Sequence, residues 1–166
     1  MSVPSRAVSH NYQSSIQFSV CTLVTKKAQY EAMLDSFMAA GFDTDSCEYL
    51  YADNTQSNDW DAYAGLNRLI TEAKGKYLIL CHQDILLNFD KRLQLETQIQ
   101  LLEDKDPQWA ILSNAGAVDL KRVVYKLTVA NNEFQEKGKL PALVQSVDEH
   151  FIVLKKEANL GLSTNL

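Results

Sequence analysis

The chain has 166 residues, 46% of them hydrophobic and 22% charged, with a formal net charge of −5. That length fits one domain with a real core, and the composition is ordinary for a soluble globular protein. The acidic balance and the scattered Lys and Arg argue against a nucleic-acid-coating surface, which needs a clustered basic face, but they leave room for one local diphosphate pocket.

The N-terminal "MSVPSRAVSHNYQSS", residues 1–15, carries one Arg and no apolar core. It reads as a flexible lead-in rather than a signal peptide, with the folded domain expected over residues 16–166. "IQFSVCTLVT" alternates and is β-rich, the expected first strand. "KKAQYEAMLDSFMAAG" follows with Tyr30, Met33, Leu34, Phe37 and Met38 at helical spacing and Gly41 as its C-terminal cap. "CEYLYADN" reads as a second strand. In "DWDAYAGLNRLITEAKG", Tyr63, Leu66, Ile70 and Ala73 share one helical face and Gly75 ends the segment. "KYLILCH" is a third strand, apolar on both faces, as a strand covered by helices on either side would be. A third helix, "FDKRLQLETQIQLLEDKD", leads to a strand in "WAILSNAG". Beyond Gly116, "RVVYKLTV" and "HFIVLKK" read as strands, with "NNEFQEKGKLPAL" a polar loop between them. No apolar run approaches the ~20 residues of a membrane span. Cys21, Cys47 and Cys81 show neither CxxC nor metal-ligand spacing, which suits buried thiols in a reducing, cytoplasmic setting.

The order β-α-β-α-β makes the first three strands parallel neighbours through right-handed crossovers. Ligands of open α/β sheets bind beyond the carboxyl ends of the strands. Those ends carry Thr25-Lys26, Asp53-Asn54 and His82-Gln83-Asp84, so polar side chains are expected to converge on one edge. The first strand-helix turn, "LVTKKAQY", has no glycine, and neither GxGxxG nor a P-loop occurs. A divalent ion is then the expected holder of a diphosphate: Mg²⁺ uses one or two carboxylates plus substrate phosphates, and Mn²⁺ also accepts imidazole. Asp84, with His82 two residues earlier, is the natural place for it. Each residue has a plainer alternative. Asp84 could cap a following helix, His82 could be a structural imidazole, Asp53-Asn54 could form a turn, and Lys74 could be a solvated helix-end charge. A Cys81-His82 nucleophile pair is disfavoured because neighbouring strand residues point to opposite faces.

Taken in order, "FSVCTLVT", "YLYADNT", "YAGLNRLITEAKGKYLILCHQDILL" and "VQSVDEHFIVLKKE" resemble family 2 glycosyltransferases of the GT-A fold. The similarity runs from about Phe18 to Glu157 and lies nearest the branch whose metal motif reads His-Gln-Asp. The resemblance implies a GT-A-like, Rossmann-like three-layer α/β sandwich with a mostly parallel central sheet. It implies a nucleoside-diphosphate sugar donor, UDP-linked, and inverting transfer to a saccharide or lipid-linked acceptor hydroxyl, as in polysaccharide biosynthesis. Asp53, with Asn54 beside it, matches the residue that recognises uracil or ribose. Thr25 lies in the turn lining the base pocket, and Lys74 falls where a basic residue approaches nucleotide or phosphate. Asp84, with His82 a weaker second, matches the acid that coordinates Mn²⁺ or Mg²⁺. Asp148 and Glu149 match an acidic position near the acceptor region and are weak candidates for the catalytic base. His82 and Gln83 stand where many relatives carry acids, making the motif less anionic. The chain ends at "EANLGLSTNL", where relatives continue with the segment that supplies the base, so the expectation is a truncated or degenerate copy that binds donor with weak or no transfer. The alternative is a non-catalytic α/β binding or scaffolding module.

Overall fold

The computed structural model describes residues 15–129 and 133–164; the expected lead-in lies outside them apart from Ser15. Strand β1 (Phe18–Val24) serves two cores at once. Its side chains alternate, so Phe18, Val20 and Val24 face one core while Cys21 and Leu23 face the other. Helix α1 (Lys27–Ala39) buries Tyr30, Met33 and Phe37 in the first core, and Met38 is left 44% exposed. It stops as its glycine predicts: Gly41 takes φ +94° and the Phe42 amide donates to the Phe37 carbonyl at 3.0 Å. Strand β2 (Cys47–Asp53) follows.

Helix α2 (Ala62–Glu72) starts at Asp61, whose carboxylate accepts from the Tyr63 and Ala64 amides at 3.0 and 3.2 Å. It buries Leu69 in the second core with Leu66 and Ile70 partly covered, while Tyr63 stays 38% exposed. Strand β3 (Tyr77–Cys81) is buried at every position, as a strand with helices on both faces should be. Gly75, just before it, is required by close approach. A Cβ there would lie 2.5 Å from the Ser19 backbone nitrogen. Helix α3 (Arg92–Lys105) adds Ile99 to the first core. Thus α1 and α3 cover one face of the sheet and α2 the other, giving three layers.

The second half departs from expectation. "WAILSNAG" is not one strand; it divides at Asn114 into β4 (Ile111–Ser113) and β5 (Ala115–Ala117), which belong to different sheets. After β6 (Val123–Val129), the expected polar loop instead contains β7 (Glu133–Lys137), and β8 (Ser146–Val147) precedes β9 (Phe151–Lys155). Part of that loop, residues 131 and 132, lies outside the described residues. The main sheet has the order β2-β1-β3-β9-β4 and the second the order β7-β6-β5-β8.

The main sheet is therefore mixed, and the second is antiparallel throughout. β1 pairs in parallel with β2 and β3, while β9 runs antiparallel to both β3 and β4. The reason is connectivity. A parallel return needs a crossover of a dozen or more residues, usually helical, but the chain between β4 and β9 is used for the second sheet. It re-enters at the carboxyl edge, where the His82 amide donates to the His150 carbonyl at 3.1 Å, and β9 can only run back down. β7 escaped recognition because an edge strand needs no apolar face; its backbone pairs with β6 alone, and Phe134 remains 57% exposed.

Candidate functional site

Three strand ends meet at one edge of the main sheet. The parallel register sets Val24 opposite Asp53, and the Asn54 amide donates to the Val24 carbonyl at 2.7 Å. From β3, Gln83 reaches across to the end of β1. Its Oε1 accepts from the Thr25 and Lys26 amides, each at 2.8 Å, and its Nε2 donates to Thr25 Oγ1 at 2.8 Å. The Ile85 amide closes a turn onto the His82 carbonyl at 3.3 Å, with Gln83 and Asp84 at its two central positions. Thr25, Asp53 and Asp84 thus share one rim.

The chemistry of these residues differs. Asp53 is exposed, and the Thr55 amide, at 2.9 Å, together with the Thr55 hydroxyl holds its carboxyl below the usual range, with Lys27 adding to the effect. It is an ionised acceptor at neutral pH. Asn54 is 8% exposed and its amide is already committed: it donates to the Trp60 carbonyl at 2.9 Å and to Asn58 Oδ1 at 3.2 Å, and accepts from the Trp60 amide at 3.0 Å. Its side chain shapes the loop over 54–60. Asp84 is exposed and has no hydrogen bond or ion pair to another described residue. It caps no helix, since the cap of α3 is Lys91. His82 also presents an exposed side chain at this rim.

Lys74 must be corrected. Its amide donates to Glu48 Oε1 at 2.5 Å, and the next amide, of Gly75, donates to Ser19 Oγ at 2.7 Å. Those partners stand at the amino ends of β2 and β1. From Glu48 to Asp53 is five residues, about 17 Å at the ordinary strand rise. Helix α2 runs antiparallel to the strands and returns the chain to the far edge, so Lys74 cannot share a pocket with Thr25, Asp53 and Asp84.

A second feature adjoins the rim. Between the strands of the second sheet lies an open groove of about 540 Å³ with Ala115, Gly116 and Ala117 along it and Tyr125, Asp148 and His150 among its polar groups. Asp148 Oδ1 accepts from His150 Nδ1 at 2.5 Å and from the His150 amide at 3.1 Å. These bonds hold the Asp148 carboxyl below the usual range, and the charge of the nearby His82 contributes. A carboxyl held low is a poor proton acceptor. Glu149 is exposed. Sequence reasoning gave Gln83 no role and passed over His150. Both carried a usable signal, a long amide at a strand end and an imidazole two residues after an acid in a turn.

Among the described residues no group of three or more His, Cys, Asp or Glu side chains could hold a metal ion by itself. The donors at the rim fit a different arrangement, in which an unpartnered carboxylate supplies one oxygen and a bound phosphate supplies others. Asp84 meets that requirement, with His82 adjacent in the same turn. No helix of the described residues is long and apolar enough to cross a membrane.

No family model matches the chain. It is 31% identical over 151 residues to a protein of Fuscovulum blasticum named ATP synthase subunits region ORF 6. The aligned part is 87% of this chain and 60% of that protein, so the chain spans less than two thirds of its relative's length.

Proposed function

We propose that this domain binds a nucleoside-diphosphate sugar, UDP-linked, at the rim formed by Thr25, Asp53 and Asp84, as a glycosyltransferase-type donor site. The observation that carries this reading is the junction of strand ends, in which Gln83 ties Thr25 to the turn bearing Asp84 while Asn54 ties β2 to β1. Asp53, ionised and exposed, accepts hydrogen bonds from ribose or base. Thr25 lines the base side of the same rim. Asp84, with His82 as a weaker second, holds Mn²⁺ or Mg²⁺ together with the ligand's phosphates, and that ion supplies charge stabilisation to a leaving diphosphate. Inverting transfer to a saccharide or lipid-linked acceptor hydroxyl is the reaction such a site serves. The three free, buried cysteines support a reducing, cytoplasmic location.

Calorimetric titration of UDP with and without Mn²⁺ tests the assignment, using the native chain and Asp84→Asn. Binding strengthened by Mn²⁺ in the native chain, with that strengthening lost in Asp84→Asn, supports it. Equal metal dependence in both proteins removes Asp84 from the site. A non-catalytic binding or scaffolding module is favoured by one observation, the commitment of Asn54 and part of Asp53 to turn geometry. Under that reading no nucleoside diphosphate shifts the melting temperature, whereas a true ligand at about 100 times its dissociation constant adds ~2.7 kcal/mol.

A further inference from the structure

Gln83 makes three side-chain hydrogen bonds of 2.8 Å, all to the segment Thr25-Lys26, which lies 57 and 58 residues away in sequence. Oε1 uses both its lone pairs and Nε2 one of its two hydrogens. The bonds bridge from the turn after β3 to the turn after β1. Thr25 and Lys26 are exposed and Gln83 is half-buried, so the contact adds little to the core. A net hydrogen bond is worth about 1 kcal/mol, and less where water competes. Yet it joins the two turns that carry Thr25 and Asp84, and Asp84 is the very next residue.

We infer that Gln83 is a positioning residue, which holds the Asp84 turn in register with the Thr25 turn so that one ligand engages both. This rests on the nucleotide reading above. It explains the amide at this position: an acid here would accept from the same donors but bring a second negative charge to the rim, while an alanine would leave the two turns tied only through the strands. The carboxamide achieves the tie without adding charge. The plainer role is that Gln83 satisfies the amide of Lys26, the N-terminal flank of α1, whose own side chain makes no capping bond. The two roles predict different measurements.

The discriminating quantity is the ratio of UDP affinity with Mn²⁺ to affinity without it, measured alongside melting temperature. In Gln83→Ala the ratio is expected to fall by about 10- to 100-fold, the usual cost of removing a group that orients a metal ligand, while metal-free UDP affinity changes much less. Gln83→Glu, which still accepts from both amides, is expected to recover most of the ratio. Gln83→Met, which keeps the length of the side chain but loses its amide oxygen and nitrogen, serves as a second test should Gln83→Ala fail to fold, and a drop in the same ratio is expected. A ratio equal to that of the native chain in these variants, with only the melting temperature lowered, overturns the inference and leaves Gln83 a structural cap. Absence of UDP binding by the native chain is a separate outcome; it removes the nucleotide reading and this inference with it.

Discussion

Gly75 and Asp148 show how single groups set local limits. A methyl group at position 75 would press on the Ser19 backbone nitrogen at 2.5 Å and on the Phe18 carbonyl carbon at 2.7 Å. Backbone in the middle of a sheet cannot yield as a side-chain tip can, so Gly75→Ala is expected to destabilise by about 1–3 kcal/mol, the ordinary cost of overpacking. Urea unfolding measures it, and an unchanged midpoint would show that the α2–β3 turn has slack. At Asp148 the prediction concerns pH. Its carboxyl titrates lower in the folded chain than in the unfolded one because the His150 ring and amide donate to it. The unfolded chain therefore binds the proton more readily. The stabilisation is complete above the ordinary carboxylate range and is lost as pH falls through the folded value. Asp148→Asn should make the acid side of the stability profile shallower below about pH 5, and leave it unchanged if the His150 contact does not persist in solution. The Lys74 assignment failed at this same level of detail. Its place just before β3 already fixed it at the amino end of the strand, a fact of chain direction that motif matching passed over.

The helices and first strands were readable because each pattern had one physical meaning. Apolar spacing in α1, the uninterrupted apolar run of β3 and the glycine at position 41 all point to what the chain does there. The later strands were harder. β4 and β5 are three residues each, too short to show a period, and their separation at Asn114 depends on which partner strand each one finds. β7 has one apolar residue, Phe134, among four polar ones and is specified by its hairpin with β6, so its own residues do little to separate it from a loop. The loop after β2 is a different kind of element, held by one side chain. Asn54 makes three bonds, two of them to Trp60. Asn54→Ala removes three bonds whose partners, on Trp60 and Asn58, belong to exposed residues that water can reach, and should cost about 0.5–1.5 kcal/mol, with faster amide exchange at Trp60. Exchange at Trp60 as slow as in the native chain would mean that the loop is held by other contacts. Ile79→Ala, at a fully buried position of β3, is expected to cost about 2–5 kcal/mol, the largest loss of these substitutions. A loss below about 1 kcal/mol would contradict the role of β3 as a strand that, like β1, faces both cores.

Taken together, the chain gathers Thr25, Asp53 and Asp84 from three strands at one edge of a mixed sheet and sends Lys74 to the other. The convergence was readable because parallel strands joined by crossover helices present all their carboxyl ends on one side, whatever their side chains. The neighbouring groove was not readable, because it is built by the second sheet, whose pairing is non-local. The Asp148–His150 pair sits in that groove and meets the rim where the His82 amide donates to the His150 carbonyl. The most direct test is paramagnetic broadening of backbone amide resonances by Mn²⁺ in the presence of UDP. The account predicts the strongest broadening at the turns around Thr25, Asp53 and Asp84 and the adjoining His150, with Lys74 and Gly75 far less affected. Broadening centred on Lys74, or none that depends on UDP, would contradict it.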